Sequence, residues 1–150
     1  MSKRADALQI RPATPGERDE LEALQRRSST ALDEYRQQLE AHPDAINLPI
    51  ELIERGQVLV AETDGGIVGF AAVVEGEESA ELDGLFVEPD RWRRGVGAAL
   101  VEAATHHARR RGLSLTVVAS RSARQFYERC GFSVEGETET RFGPAIRMSR

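Results

Sequence analysis

The chain has 150 residues, of which 40% are hydrophobic and 30% charged, and its formal net charge is −5. That length suits one domain, so residues 1–150 are expected to form one. No apolar run approaches the ~18 residues that a membrane span needs, and the N-terminus lacks the apolar stretch of a secretion signal. The single cysteine, Cys130, allows no disulfide within the chain, and no Cys/His cluster suggests a metal. We therefore expect a cytoplasmic protein with no metal and no membrane partner.

A short strand and three helical segments are predicted at the start of the chain. Residues 8–11 alternate as a strand, and Thr14–Glu17 form a capping box with proline at the first helical position, so a helix begins there. A second helix is predicted from about residue 30 to 41, and a shorter one at 49–55. The second helix has a stripe made of Leu32, Tyr35 and Leu39. Partly polar inward faces indicate either a cavity wall or mobile surface packing, and both interpretations stay open.

Three strands in a meander are predicted next. Residues 58–63 and 67–74 flank Asp64-Gly65-Gly66, which is a strong hairpin signal. A fourth strand follows at 80–87 after a second turn.

Two acidic residues lie within this fourth strand. If the strand is regular, Glu81, Asp83, Leu85 and Val87 share one face. Carboxylates with apolar neighbours on a central strand are unusual. They indicate either an edge or bulge where the acids reach water, or a base near an active site.

A third helix is predicted from about residue 95 to 111, with Gly112 as its C-terminal cap. His106 and His107 are adjacent and therefore diverge by about 100° on a helix, so they cannot jointly hold a metal. The strand predicted at 113–119 follows a helical crossover and should lie parallel to the fourth strand.

A short helix and two strands complete the prediction. Ser120 or Ser122 caps the fourth helix, and Gly131 ends it. The closing strands are predicted at 132–137 and 145–148.

The loop before the third helix contains Gly95 and Gly97 among several arginines. Glycine lets the backbone turn sharply and lie close to a ligand, and the free N–H groups of the helix start suit a pyrophosphate. The alternative is an ordinary tight turn into a helix. A P-loop would need Lys and Ser or Thr after Gly97, and a dinucleotide fingerprint would need glycine where Leu100 stands, so both classes fit poorly.

The charges are unevenly distributed along the chain. Residues 1–75 hold 8 basic and 14 acidic residues, whereas residues 91–129 hold nine arginines against Glu102 and Glu128. A basic segment in an acidic protein favours a local anionic ligand over a nucleic-acid surface.

Two motifs together resemble the GNAT superfamily of N-acetyltransferases. The first resembles that family's acyl-CoA loop, Gln/Arg-x-x-Gly-x-Gly/Ala, and reads Val87-x-Pro89 followed by Trp92-Arg93-Arg94-Gly95-Val96-Gly97-Ala98-x-Leu100. The second resembles a downstream signature and reads Ala123-x-x-Phe126-Tyr127-x-x-x-Gly131-Phe132. The resemblance covers about residues 8–148. It departs from the family pattern at Trp92, where Gln or Arg is common, and at Ser120, where Asn is common.

The resemblance implies an α/β (α+β) fold with a mixed, mostly antiparallel sheet of six to seven strands. Helices would cover both faces, and strands four and five would be parallel and splayed. It also implies direct transfer of an acetyl group from acetyl-CoA to a primary amine on a small molecule or peptide. No nucleic-acid partner is expected, and a homodimer is compatible with this prediction.

The resemblance also assigns roles to residues. Tyr127 would be the general acid, and the position of Glu81 and Asp83 makes them the candidates for the base. The implied cofactor residues are Leu85, Phe86, Val87, Arg93, Arg94, Gly95, Val96, Gly97, Ala98, Ser120 and Arg124. A non-catalytic acyl-CoA sensor is the alternative, although Tyr127 favours an enzyme.

Four acids of the N-terminal segment complete the expectations. In this family that segment borders the acceptor entrance, so the acids are either solvated helix faces or a negative wall for cationic amines. They are Glu34, Asp44, Glu51 and Glu54.

Overall fold

The computed structural model describes residues 7–31 and 33–150, without the side chains of residues 33–35. The predictions on Leu32 and on the side chains of Glu34 and Tyr35 therefore lie outside the described residues. The strands are β1 Gln9–Pro12, β2 Val58–Thr63, β3 Gly66–Glu75, β4 Ser79–Val87, β5 Ser114–Ala119, β6 Ser133–Thr140 and β7 Gly143–Ser149. The α-helices are α1 Arg18–Thr30, α2 Asp33–Ala41, α3 Ile50–Glu54, α4 Val96–Arg110 and α5 Arg124–Arg129.

All seven strands form one sheet in the order β1-β2-β3-β4-β5-β7-β6. Neighbouring strands are antiparallel except β4 and β5, which are parallel because α4 crosses over between them. The predicted fold class is confirmed.

Helices cover both faces of the sheet. On the first, here called the α4 face, α4 and α5 bury a cluster that includes Leu100, Val101 and Tyr127. On the second, the α1 face, α1 and α3 bury a cluster that includes Leu24 and Ile53. Helix α2 packs on α1. The two faces thus carry separate helical layers, and a gap in the sheet would connect them.

A β-bulge interrupts β4 near its middle. The register pairs Val73 of β3 with Leu82 and the preceding Ala72 with Gly84. Asp83 is therefore an extra residue with no partner in β3. A bulge shifts the alternation of side chains by one position.

The bulge corrects the prediction that Glu81, Asp83, Leu85 and Val87 share one face. Leu82 packs in the α4-face core before the bulge, and Leu85 and Val87 pack there after it. Glu81 alternates with Leu82 and so points to the α1 face, opposite to Leu85 and Val87. Glu81 and Asp83 are exposed at this bulge, which agrees with the interpretation that an edge or bulge lets the two acids reach water.

Strands β4 and β5 separate just beyond the point where the bulge begins. Their parallel ladder pairs Ser79–Leu82 with Ser114–Val117 and stops there. The remaining residues of β4 therefore present one edge to an open gap. This is the splay that the resemblance implied.

An ion-pair cluster ties the first strand to its neighbours. Arg11 donates hydrogen bonds to Glu17 at 2.7 Å and to Glu62 at 2.9 Å. The hydrogen bonds from Arg11 hold the pKa of Glu17 down at about 2. Glu17 also accepts from the Thr14 N–H at 2.9 Å, which confirms the predicted capping box. The start of α1 is thus held against β1 and β2.

Candidate active site

The gap between β4 and β5 opens into a cavity of about 670 Å³. Its wall includes Phe126 and Tyr127 from the α4 face and Gln25 and Ser28 from the α1 face. The cavity therefore passes through the sheet, so two reactants could approach each other from opposite sides.

The loop before α4 is shaped to hold an anion. Arg93 and Gly95 both have positive φ values, 65° and 85°. The first helical hydrogen bond runs from the Ala99 N–H to the Gly95 carbonyl at 3.0 Å. The N–H groups of residues 96–98 therefore have no acceptor within the helix, and the positive end of the α4 dipole lies beside them. Such a helix start binds phosphate groups.

The predicted cofactor residues divide into two groups. Those that line the cavity are Leu85, Phe86, Val87, Arg93, Gly97 and Ser120. Gly95 is exposed at the end of the loop, Ala98 is exposed in the first turn of α4, and Val96 is buried in the core. Arg94 lines a second, polar cavity of about 460 Å³. Arg124 is exposed and pairs with Glu128 at 3.3 Å.

Gly97 is required for close packing as well as for access to the loop. A Cβ at this position would lie 3.1 Å from Cζ of Phe126. Any larger residue would therefore push the Phe126 ring, which itself lines the cavity. This contact gives a second reason for glycine here, and sequence reasoning offered only the phosphate.

The backbone of β4 offers hydrogen-bonding groups to the gap at alternate residues. The Glu88 N–H donates to Val68 O at 2.9 Å, which fixes the phase of the antiparallel ladder. By alternation the amide groups of Phe86 point to β3, whereas those of Leu85 and Val87 point into the gap. Among the predicted cofactor residues, Leu85 and Val87 therefore turn backbone groups to the gap, whereas the backbone of Phe86 pairs with β3.

The side chain of Trp92 already forms a hydrogen bond with one of these backbone groups. Its Nε1 donates to the Val87 carbonyl at 2.9 Å. The side chain thus closes the turn after β4, which gives this departure from the family motif a structural role. The Leu85 N–H and C=O and the Val87 N–H remain directed at the gap.

Tyr127 lies at the base of the cavity on α5. It is 7% exposed and packs edge-on against Phe126 and Phe132, with ring centroids 5.0 Å and 5.3 Å apart. These contacts fix the ring while the residue contributes to the cavity wall. The nearby Cys130 is half-buried, and burial raises the pKa of its thiol. A raised pKa disfavours the thiolate that a nucleophile needs.

Glu81 and Asp83, which flank Leu82 in the sequence, interact through their charges and a hydrogen bond between their side chains. Partial burial, and then the charge and hydrogen bond of Asp83, raise the pKa of Glu81. Asp83 lines the cavity and Glu81 lies just outside it. The pair places negative charge beside the gap, on the side that α1 covers.

The α1-face wall was largely missed by sequence reasoning. It consists of Gln25, Ser28 and Ser29 from α1, Gln38 and Leu39 from α2, and Phe142 from the β6–β7 turn. The signal available was the polar inward face of the N-terminal helices, for which a cavity wall was one interpretation.

The acids that were predicted to border the acceptor entrance do not line the cavity, as far as their side chains are described. Glu51 and Glu54 are exposed on α3 and do not line the cavity. Asp44 is exposed, pairs with Arg141 at 3.6 Å and does not line the cavity, although its neighbour Ala45 does. Among the described residues, Asp83 is the acid in the cavity wall.

The family of the protein is now clear. Residues 54–134 match the family model described as an acetyltransferase (GNAT) domain. The chain belongs to this family, and it is an acyltransferase, as predicted.

Relatives and solved structures agree with this assignment. The chain is 30% identical to the 5-NmdU N-acetyltransferase of Pseudomonas phage PaMx11, over 86% of this chain and 89% of that protein. It is 37% identical to the uncharacterized N-acetyltransferase MJ1207 of Methanocaldococcus jannaschii, over 49% of this chain but 37% of that longer protein. The PaiA N-acetyltransferase of Thermoplasma acidophilum in complex with coenzyme A has the same fold, with a TM-score of 0.78 and 21% identity over 96% of this chain and 99% of that one.

Two kinds of feature are absent from the described residues. No helix there is long and apolar enough to cross a membrane. Nor do residues 7–31 and 33–150 hold three or more His, Cys, Asp or Glu side chains placed to bind one metal ion.

Proposed function

We propose that the protein transfers an acetyl group from acetyl-CoA to a primary amine by direct attack within the cavity. One observation carries this proposal. A single cavity joins the anion-binding loop, the open edge of β4, Tyr127 and Asp83. One seven-stranded sheet runs from residue 9 to 149, which supports treating residues 1–150 as one domain.

The loop and β4 would bind the cofactor. The N–H groups of residues 96–98 suit the pyrophosphate, and Arg91 and Arg93 in the cavity wall would pair with its charge. The Leu85 and Val87 amide groups would bind the pantetheine arm as an added strand. The PaiA neighbour, which has the same fold, is described in complex with coenzyme A, and this supports acetyl-CoA as the cofactor.

Proton transfer would be divided between the two sides of the gap. An amine that arrives as a cation must lose one proton before its nitrogen can bond the acetyl carbon, and the Glu81–Asp83 pair would take that proton through water. The nitrogen loses a second proton to solvent as the amide forms. The raised pKa of Glu81 makes that carboxylate a better base than an unperturbed one. As the C–S bond breaks, Tyr127 would give its hydroxyl proton to the thiolate. The Leu85 N–H would donate a hydrogen bond to the carbonyl oxygen of the acetyl group as negative charge develops on that oxygen.

The acceptor would enter from the α1 face, because the anion-binding loop belongs to α4 on the other side. The charge of the Glu81–Asp83 pair favours amines that arrive as cations. The name of the phage relative adds 5-NmdU as one acceptor worth testing.

The test combines binding with turnover. Calorimetry should show acetyl-CoA binding, and thiol release should require an amine from a panel of polyamines, aminoglycosides, amino acids, peptides and 5-NmdU. Added salt should lower the rate with cationic acceptors. Binding without amine-dependent thiol release would contradict the proposal, as would a preference for anionic amines over matched cationic ones.

A further inference from the structure

Gln38 on α2 carries a buried hydrogen-bond acceptor with no partner. Its Oε1 atom is inaccessible to solvent, and no donor among the described residues reaches it. The same residue lines the cavity. Buried polar groups in folded proteins are almost always satisfied, so an unsatisfied one indicates a missing partner.

The orientation of the amide follows from its other contact. Nε2 of Gln38 donates to the Phe142 carbonyl at 3.4 Å. A backbone carbonyl only accepts, so exchanging the amide nitrogen and oxygen would place two acceptors against each other. Oε1 is therefore the atom left without a donor.

The β6–β7 turn holds Gln38 in place. The Phe142 ring lies 5.9 Å from the His42 ring, and Arg141 packs over Phe142 while pairing with Asp44 at 3.6 Å. These contacts join the turn to the segment that follows α2. The amide thus belongs to a constrained wall on the α1 face.

The wall also carries polar side chains on α1, Gln25, Ser28 and Ser29, yet none of the described residues donates to Oε1. The apolar residues Leu39, Ala45, Phe86, Val118 and Phe142 line the same cavity. A ligand that enters from the α1 face would bring its own polar groups to Gln38.

We propose that Gln38 Oε1 accepts a hydrogen bond from a hydroxyl or N–H group of the acceptor amine, distinct from the nitrogen that is acetylated. This rests on the proposed function. The reacting nitrogen must lie at the strand gap between Asp83 and Tyr127, whereas Gln38 belongs to the outer wall. The selected acceptors are then amines that carry a second hydrogen-bond donor. A site built to bond such a donor rejects an analogue that lacks it, because the buried acceptor stays unpaired.

Matched amine pairs test this selection. The pairs are tyramine and its methyl ether, ethanolamine and its methyl ether, and glycinamide and its dimethyl amide, each with and without the second donor. Wild type should prefer the donor-bearing member of the best pair by at least about tenfold in kcat/KM, mainly through KM. Gln38→Met keeps the side-chain volume, removes the acceptor, and should bring the two members within about threefold of each other.

Gln25→Met is the matched control, because Gln25 lines the same cavity from α1 and its amide oxygen is not an unpaired buried atom. This variant should change both members of a pair by the same factor. A merely structural role for Gln38 would also lower both members equally.

Three results would overturn the inference. They are equal rates for both members of every pair in wild type, a preference that Gln38→Met leaves intact, and an equal loss for both members in Gln38→Met. If no amine is acetylated although calorimetry shows acetyl-CoA binding, the proposed function fails and this inference with it.

Discussion

Replacing Tyr127 by Phe separates its proton from its packing. The ring is 7% exposed and is held edge-on between Phe126 and Phe132. Phenylalanine keeps those ring contacts and removes only the hydroxyl. We therefore expect the free energy of unfolding to change by less than about 1.5 kcal/mol, the value of an ordinary hydrogen bond.

Turnover should respond far more strongly. Loss of a general acid lowers the rate roughly 10²–10⁴-fold, which corresponds to about 2.7–5.5 kcal/mol in the barrier. Acetyl-CoA affinity should hold within a few-fold, because the loop and the β4 backbone carry binding. The assay is kcat by thiol release, with a rapid-quench burst measurement to show that chemistry limits the rate, and calorimetry for acetyl-CoA.

Phe132→Leu is the control for packing. It disturbs the same aromatic stack without removing a proton donor. It should therefore lower the free energy of unfolding more than Tyr127→Phe does, and lower turnover less. A loss below about fivefold in Tyr127→Phe, or ~1 kcal/mol with chemistry rate-limiting, would make Tyr127 a core residue. Water would then protonate the thiolate.

Three further predictions concern the loop, the acids and acid stability. Gly97→Val should weaken acetyl-CoA binding at least about tenfold and lower Tm, because the new side chain meets Phe126 and the phosphate loop; near-native affinity by calorimetry would refute this. Partial burial and then the charge of Asp83 raise the pKa of Glu81, so Asp83→Asn should move the acid limb of kcat/KM to lower pH; an unmoved limb would contradict a base formed by the Glu81–Asp83 pair. The pKa of Glu17 is lowered to about 2, so its stabilisation is present above the ordinary value near 4.5 and is lost as pH falls towards 2. Glu17→Gln should cost about 1–2 kcal/mol in urea unfolding at pH 7 and little at pH 2, whereas an equal cost at both would contradict the ion pair.

Local chemistry explains why most elements could be predicted. Strand β2 has the predicted bounds, and the Asp64-Gly65-Gly66 turn lies where the hairpin signal placed it. The start of α4 follows Gly95, whose φ of 85° matches its predicted freedom to turn. These features depend on neighbouring residues, which a sequence displays directly.

The bulge could be proposed but not placed from the sequence. Asp83 gives no local signal for it, although a Cβ at Gly84 would lie 2.8 Å from the Phe86 ring. The bulge is a shift in register between two strands, so it exists only once β3 and β4 are paired. The direction of Glu81 and of the Phe86 backbone depended on the same register.

The outer wall of the cavity depends on residues far apart in the chain. Gln38 and Phe142 are 104 positions apart and meet only through the β6–β7 turn. Neither has a motif, so sequence reasoning named neither. The polar inward face of α1 and α2 was the sole hint of a cavity there.

The central claim is that acetyl groups pass from acetyl-CoA to an amine inside this cavity. Mass spectrometry of the amine panel after incubation with acetyl-CoA tests it most directly, because it distinguishes transfer from hydrolysis. The account predicts an acetylated amine formed in step with thiol release, and a much slower rate of both in Tyr127→Phe. Thiol release without any acetylated amine would contradict it.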